Sequence, residues 1–268
     1  MPSPKDISLL RNALPFWLSL TTLPVIIFAA YMGGLWLFLS IFHGWILMGA
    51  WDAFVGVNTE NPDTNVTDKN LFWYRLITII WFPIQFIVIY GLIYFVARSD
   101  YAVWEMLVLM FSAGILSGSV GIVYAHELMH QKPRFERHLG DLLMTMAMYG
   151  HFRSEHLLVH HRYVGTPRDP VTARYNEGFH RFFPRVLYSC FVSAWRAEVA
   201  MLARKKLPAW HRSNPFWKYA TLQAIFLLIA LWVGGWLGVG LFLVQAYSAI
   251  AQLELVNYVE HYGLTREH

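Results

Sequence analysis

Long apolar runs constrain this chain most, because they leave few architectures open to it. A helix that crosses a bilayer needs about 20 mostly apolar residues, and the sequence contains six such runs. They cover residues 14–31, 33–55, 72–96, 103–125, 215–233 and 236–260. The residues are 56% hydrophobic and 14% charged, a composition typical of membrane proteins. We therefore predict an all-α, polytopic membrane protein with about six transmembrane helices, built as a single domain.

Glycine pairs separate the apolar runs at two places. The first two runs meet at Gly33-Gly34, and the last two meet in the stretch VGGWLG, residues 233–238. Both places predict a tight helical hairpin. In the fourth run Gly114 and Gly118 form a small-xxx-small pattern, which predicts close packing against a neighbouring helix.

The basic residues indicate how the chain is oriented in the membrane. Of the 21 Lys and Arg residues, 14 lie between His126 and Arg212. The positive-inside rule therefore predicts that this segment faces the cytoplasm from the inner membrane. Within it, residues 185–206 mix apolar and basic side chains and predict a helix lying in the interface. Topology and anionic headgroups account for these charges, so no nucleic-acid partner is predicted.

Three histidine clusters lie at the predicted cytoplasmic ends of the helices, in HELMH, EHLLVHH and NYVEHYGL. Their members are His126, His130, His156, His160, His161 and His261. Imidazole is a good ligand for Fe, Zn, Cu and Ni, and residues four apart share one face of a helix. Because six histidines exceed the three or four ligands of one tetrahedral zinc ion, the pattern predicts two metal ions.

Three functions fit these residues when they are taken alone. HELMH matches the HExxH motif of zinc proteases, in which Glu127 would act as general base, but that function leaves EHLLVHH unexplained. A metal transporter is expected to hold its ligands near the middle of the bilayer, whereas these clusters lie at helix ends. A centre for two metal ions uses all three clusters.

The same motifs carry a resemblance to a known family. HELMH, EHLLVHH followed by VGTPRDP, and above all NYVEHYGL resemble the integral-membrane alkane monooxygenases, within the superfamily of membrane fatty-acid desaturases and hydroxylases. The resemblance implies a non-haem di-iron site that uses O₂ to hydroxylate the terminal carbon of a medium- or long-chain alkane. It also implies electrons from rubredoxin and its NAD(P)H-dependent reductase. A fatty-acid desaturase or hydroxylase and a xylene-type hydrocarbon hydroxylase are the alternatives.

Residue by residue, the resemblance implies that the six clustered histidines are the iron ligands. The family carries a further histidine box of the HxxHH type beyond NYVEHYGL. This sequence ends at LTREH, residues 264–268, without that box. We therefore expect the hydroxylase domain to lack its C-terminal part here.

Side chains beside the clusters are predicted to orient the imidazoles, because a ligating imidazole usually donates its other N–H to a carboxylate or carbonyl. These residues are Glu127, Glu155, Asp169, Asn257 and Glu260. Bulky side chains of the second run are predicted to limit the length of the substrate, namely Trp45, Trp51 and Phe54. His43 and His151 receive no assigned role.

A soluble redox partner is expected to meet the basic face. Arginines close to the histidine clusters are predicted to steer an acidic electron donor electrostatically. They are Arg134, Arg137, Arg153 and Arg162.

Overall fold

Helices make up the regular structure of the residues that the computed structural model describes, 4–55 and 71–266. In chain order they are α1 (Pro4–Trp17), α2 (Thr22–Met32), α3 (Phe38–Ile41), α4 (Met48–Val55), α5 (Phe72–Val96), α6 (Val103–Leu116), α7 (Val123–His130), α8 (Arg134–Met146), α9 (Phe152–Glu155), α10 (His161–Tyr163), α11 (Phe179–Arg204) and α12 (Pro215–His261). Within those two ranges there is no strand, which confirms the all-α prediction.

Five helical stretches of the described chain are long and apolar enough to cross a membrane. They are Asn12–Met32, Phe72–Val96, Val103–His130, Phe179–Arg204 and Pro215–His261, and Gly34–Leu47 is a shorter apolar helix. The prediction of a polytopic membrane protein is thereby confirmed. The 47 residues of Pro215–His261 are twice the length of one span, and they contain the last two predicted runs.

The second predicted run, 33–55, is a composite rather than one regular span. A 3₁₀ turn at Gly34–Leu37 leads into α3, a π-helical turn occupies Phe42–Leu47, and α4 follows. Each change of helix type alters which hydrogen bonds the backbone makes and therefore rotates the side chains. Hydrophobicity alone does not report such changes.

Both predicted hairpins are confirmed at their glycines. Gly235 interrupts α12 with a φ of 61°, a left-handed conformation that a side chain makes costly, and Gly33 has a φ of 63° between the first two runs. The reversal at Gly235 brings the end of α12, at His261, back to the membrane side on which the helix began at Pro215.

The predicted close packing at Gly114 and Gly118 is also confirmed, and the partner is the second half of α12. A Cβ atom on Gly114 would lie 2.6 Å from the carbonyl oxygen of Gln245, and one on Gly118 would lie 2.9 Å from that of Ala249. Only glycine allows the two backbones to approach this closely, as in other membrane helix pairs.

A buried glutamine fixes the depth of α12 against its neighbours. Gln245 is fully buried; its Nε2 donates to the carbonyl of Met146 at 2.9 Å, and its Oε1 accepts from Ser117 Oγ at 3.1 Å. Polar groups inside the bilayer need such partners because no water is present to pair with them. These bonds join α12 to the end of α8 and to the turn after α6.

The histidine-rich segment between α8 and α11 is held by polar contacts from both helices. Arg153 donates to Asp141 of α8 at 2.7 Å, and Ser154 donates to Glu198 of α11 at 2.6 Å. Length and composition place α11 among the helices able to cross a membrane, whereas the sequence predicts an interfacial helix for 185–206. Its contact with α9 sets it beside the histidines, and its interfacial position stays a prediction.

Candidate metal centre

The HELMH motif lies on the last turn of a helix, as its spacing predicts. α7 carries His126 and His130 one turn apart, with ring centroids separated by 4.7 Å. α7 continues α6 after a π-helical turn at Ser117–Ile122. The two imidazoles are therefore presented at the end of a buried membrane helix.

The EHLLVHH motif lies on a π-helical turn rather than on a regular α-helix. Residues His156–His160 form a π-helical turn, in which hydrogen bonds join residues five apart rather than four. His156 is consequently paired with His161, and their Nε2 atoms are 2.9 Å apart. His156 also contacts His160, four positions on, because their rings stack with centroids 5.4 Å apart.

Four imidazoles converge on one point. The Nε2 atom of His156 lies 2.9 Å from that of His126, 3.3 Å from that of His130 and 2.9 Å from that of His161. One nitrogen from each of the four residues lies within 4.8 Å of the other three. Two helix ends and one π-helical turn thus bring together residues separated by up to 35 positions.

The four-histidine group has the chemistry of a metal site. A neutral imidazole nitrogen carries either one proton or one lone pair, so the Nε2 atom of His156 cannot satisfy three neighbouring nitrogens by hydrogen bonding. Burial, together with the neighbouring imidazoles, lowers the pKa of His156 to about 2, which leaves its lone pair available at neutral pH. Converging imidazole nitrogens suit Fe, Zn, Cu or Ni.

His160 and His261 form a second pair beside the first group. Their ring centroids are 4.8 Å apart, and the ring of His160 also stacks on that of His156 at 5.4 Å. His261 donates from Nδ1 to the carbonyl oxygen of Asn257 at 2.8 Å. With Nδ1 of both rings engaged, each Nε2 atom is the nitrogen left for a metal ion.

Asp169 is in hydrogen-bond contact with His160, and its predicted role in orienting that imidazole stays a prediction. Its Oδ2 atom lies 3.1 Å from Nδ1 of His160 and accepts from the hydroxyl of Thr172 at 2.6 Å. Burial opposes the charge of this carboxylate, but the hydrogen bonds from His160 and Thr172 outweigh it and lower the pKa of Asp169 below its usual value. The charged carboxylate is therefore maintained inside the protein.

The other predicted orienting residues have weaker or indirect contacts. Oε1 of Glu127 is 3.8 Å from Nδ1 of His126, which is too long for a hydrogen bond. Asn257 acts through its backbone carbonyl, and its side chain donates to Glu254 at 3.1 Å. Glu260 is exposed and has no ion pair or hydrogen bond in the described chain, because neighbouring helix residues point in different directions.

Two buried carboxylates complete the centre, and Glu254 was missed by the sequence reasoning. Glu254 is fully buried, and its Oε1 accepts from the hydroxyl of Tyr149 at 2.9 Å. Glu155 is also fully buried, and neither of its oxygens has a hydrogen-bond partner among residues 4–55 and 71–266. Burial, then the carboxylates of Asp169 and Glu254, raise the pKa of Glu155 well above its usual value. An unpaired buried carboxylate beside these imidazoles fits a centre that holds cations.

The signal that could have identified Glu254 is its depth in the last span. Ionisable residues inside a membrane helix are functional candidates by default. Glu254 also precedes His261 by seven positions, which is two helical turns. It therefore shares the face of α12 that carries His261.

The remaining residues singled out from the sequence make contacts with residues other than the clustered histidines, or lie outside the described residues. Nε2 of His43 is 3.4 Å from the hydroxyl of Thr21 on the preceding helix. The ring of Trp45 meets that of Phe111 edge-on at 6.1 Å, and Phe54 is 85% exposed. The side chain of Trp51 lies outside the described residues. Whether the three bulky residues limit substrate length stays a prediction.

The sequence is similar to those of several known proteins. The fatty acid desaturase family model matches residues 102–268. Alkane 1-monooxygenase 2 of Pseudomonas aeruginosa is 36% identical over 86% of this chain and 62% of its own length. Alkane 1-monooxygenase 2 of Alcanivorax borkumensis is 29% identical over 94% of this chain and 68% of its own length. The hydroxylase component of xylene/toluene monooxygenase from Pseudomonas putida is 27% identical over 88% of this chain and 63% of its own length.

This chain covers only part of the length of each of these relatives. The chain spans 62% and 57% of the lengths of two Pseudomonas aeruginosa alkane 1-monooxygenases. The family match covers every histidine of the two groups described above and all of α6 to α12. This chain therefore belongs to the fatty acid desaturase family.

Proposed function

We propose that this protein is a membrane-bound non-haem di-iron monooxygenase that hydroxylates the terminal carbon of medium- or long-chain alkanes. The convergence of His126, His130, His156 and His161 carries the proposal, because four imidazole nitrogens within 4.8 Å of one another at the end of a membrane helix are suited to hold a metal ion. Similarity to alkane 1-monooxygenases supports the reaction and the substrate class.

The two histidine groups are the proposed binding places of the two irons. The four-histidine group holds one ion, and His160 and His261 hold part of the other. Two nitrogens are too few for an iron ion, and its remaining ligands are expected from the further histidine box that the resemblance implies. The bound irons supply the O₂ activation that hydroxylation of an alkane requires. Asp169 keeps the imidazole of His160 oriented for this role.

A hydrocarbon substrate is proposed to reach the centre from the bilayer. An open, almost wholly apolar cavity of about 700 Å³ lies between α3, α6 and α12 and is lined by residues such as Phe111, Tyr247 and Ala251. Ala251 precedes His261 by ten residues, or about 15 Å along the helix. Each CH₂ group favours the apolar side by about 0.8 kcal/mol, so a long alkane dissolves in the membrane and can enter sideways.

Electrons are proposed to arrive from rubredoxin, reduced by its NAD(P)H-dependent reductase, at the basic face. A cavity of about 860 Å³ between residues 158–175 and α11 is lined by several arginines. Five of them have no ion pair within the described residues: Arg162, Arg168, Arg174, Arg196 and Arg204. Unpaired cations favour an acidic partner through long-range attraction. Four arginines were predicted from the sequence to steer the electron donor. Arg153 is paired with Asp141, whereas Arg134 and Arg162 are exposed.

The other functions raised by the sequence account for less. A zinc protease with Glu127 as general base needs one metal ion. It leaves His160 and His261, with their hydrogen-bond partners Asp169 and the Asn257 carbonyl, without a role. Within the family, fatty-acyl desaturation and hydroxylation of an aromatic hydrocarbon remain the alternative reactions, the latter because of the xylene/toluene relative.

The reaction is tested with the full-length protein, rubredoxin, its reductase, NADH, an n-alkane and ¹⁸O₂. We expect a primary alcohol that carries one ¹⁸O atom, detected by mass spectrometry, and two iron ions per protein by elemental analysis. Oxidation of xylene in preference to the alkane would favour the aromatic alternative. An alkene from a fatty-acyl substrate, with both oxygen atoms released as water, would contradict the proposal, as would zinc as the stoichiometric metal.

A further inference from the structure

A second cavity lies outside the metal centre, between α11 and the first turns of α12. Its volume is about 400 Å³. Aromatic rings form most of its wall, and the lining residues are His151, Phe191, Trp195, Trp210, Phe216, Trp217, Tyr219, Ala220 and Gln223. Binding sites for small molecules are typically clefts of roughly 300–1,000 Å³ with apolar and aromatic walls and a few polar groups. This cavity has that size and composition.

His151 is the polar group that indicates a ligand. Its residue surface is 9% exposed, and its Nε2 atom is buried without a hydrogen-bond partner in the part of the chain that the structure describes. Its ring packs on Tyr149 at 4.5 Å and on Phe191 at 5.3 Å. Because an unpaired buried polar nitrogen is costly, the cavity calls for one hydrogen-bonding group next to His151.

The complementary group carries no charge. None of the described residues that line the cavity is Lys, Arg, Asp or Glu, so an ionic head would be buried without a partner. Burial lowers the pKa of His151 to about 4, and the imidazole is therefore neutral at pH 7. A neutral imidazole nitrogen either donates or accepts, depending on its tautomer, and a hydroxyl group can do both. The end of a hydrocarbon can do neither.

The cavity lies close to the metal centre, and two of the tryptophans in its wall are exposed. Trp210 is 67% exposed and Trp217 is 49% exposed, as is common for side chains in the interfacial belt. The ring of Phe152 lies 5.1 Å from that of His156 and 6.1 Å from that of Tyr149, which packs on His151. Two aromatic rings, those of Phe152 and Tyr149, therefore connect His151 in the cavity wall with His156 of the four-histidine group.

We propose that this cavity binds a long-chain primary alcohol, with the hydroxyl group on Nε2 of His151 and the chain along the aromatic wall. Such an alcohol is the product of the hydroxylation proposed above, and its identification as the product rests on that proposed function. The cavity then holds the alcohol at the interface, next to the site where it forms and beside the bilayer into which it leaves.

Photo-crosslinking of the full-length protein in lipid nanodiscs tests the proposal without iron, O₂ or turnover. The probe is a 1-alkanol with a diazirine in mid-chain, and labelled peptides are identified by mass spectrometry. We expect labelling within residues 191–223 that 1-dodecanol displaces and dodecane does not. His151→Phe keeps a ring but removes the nitrogen, and should weaken binding of the alkanol about tenfold, the loss expected for one hydrogen bond.

Matched variants separate the site from general effects on folding. His43→Phe changes another histidine at membrane depth, close to Thr21, and should leave labelling unchanged. Ala220→Trp fills the cavity from α12 without altering His151 and should abolish labelling. A thermal unfolding midpoint of His151→Phe equal to that of the unsubstituted protein shows that this variant is folded.

The outcomes distinguish this proposal from the proposed function. Equal labelling by a diazirine alkane, or full labelling of both His151→Phe and Ala220→Trp, would overturn the alcohol site. Formation of an ¹⁸O-labelled alcohol without labelling of the cavity would overturn the site alone. Alkanol labelling of a protein that makes an alkene would support the site and overturn the identification of its ligand as the product.

Discussion

At the scale of single residues, the centre depends on how each imidazole is oriented as much as on which residues are histidines. His160 and His261 each use Nδ1 for a fixed acceptor, a buried carboxylate in one case and a backbone carbonyl in the other. Such acceptors determine which nitrogen faces a metal ion. Asp169 is the acceptor that a substitution can remove.

Asp169→Asn should weaken iron binding by roughly 10–100-fold, as is usual when the carboxylate partner of a ligating histidine is lost. The amide that replaces the carboxylate carries no charge and no longer favours the required tautomer of His160. The measurement is iron retention against a graded concentration of chelator. Glu260→Gln is the control, because it removes a carboxylate next to His261 that makes no contact within the described ranges. Equal losses in both variants would contradict the role of Asp169.

Single residues also show where prediction from the sequence ends. The HELMH spacing correctly placed two rings on one helix face, because α7 is a regular helix at that point. The EHLLVHH spacing predicted that His156 and His160 lie close together, but it did not predict the contact of His156 with His161, because the local turn is π-helical. Glu254 carries no motif, and its role became visible only when the fold brought it against Tyr149. Spacing predicts contacts within one regular helix, whereas contacts between helices require the tertiary structure.

At the scale of elements, contact between α6 and the second half of α12 sets the depth at which the histidines lie. Gly114 and Gly118 allow the two backbones to meet, and Gln245 fixes their relative height. The six apolar runs were predictable because a bilayer demands about 20 apolar residues of each helix. The changes of helix type within the runs were not predictable, because the runs are mostly apolar on all sides and therefore carry little periodicity that depends on the helix type.

Gly114→Ala should destabilise the protein, since the new methyl group would lie within 2.6 Å of the Gln245 carbonyl and force α12 to move. Overpacking of this kind costs about 1–3 kcal/mol. Gly240→Ala is the matched control in α12, where a Cβ atom would meet nothing within 4 Å. Alanine favours helix over glycine, so this control should be neutral or slightly stabilising. Thermal unfolding in detergent measures both, and a higher midpoint for Gly114→Ala would contradict the packing.

At the scale of the whole molecule, the proposal places the metal centre on the cytoplasmic side of the inner membrane. The excess of Lys and Arg between α7 and α12 supports this orientation. Tyr175, near the centre, is 79% exposed, and Trp236, at the α12 hairpin, is 81% exposed. The one cysteine of the sequence, Cys190, is buried and should not react with a bulky reagent.

Single-cysteine labelling tests the orientation. A membrane-impermeant maleimide applied to intact spheroplasts should label Trp236→Cys and leave Tyr175→Cys unlabelled until the membrane is permeabilised. The unsubstituted protein is the control and should remain unlabelled in both conditions, because Cys190 is 1% exposed. Labelling of Tyr175→Cys in intact spheroplasts would place the histidines on the opposite side.

The π-helical turn at His156–His160 makes the centre depend on the helix type of this segment as well as on the identity of its residues. Deleting one residue from the turn and restoring a regular α-helix would leave His156 and His161 four apart on one face. If the same residues formed a regular α-helix without a deletion, His161 would instead lie about 100° farther around the helix axis from His156. When such sequences are aligned, a one-residue gap at this turn is therefore compatible with the same pairing of histidines.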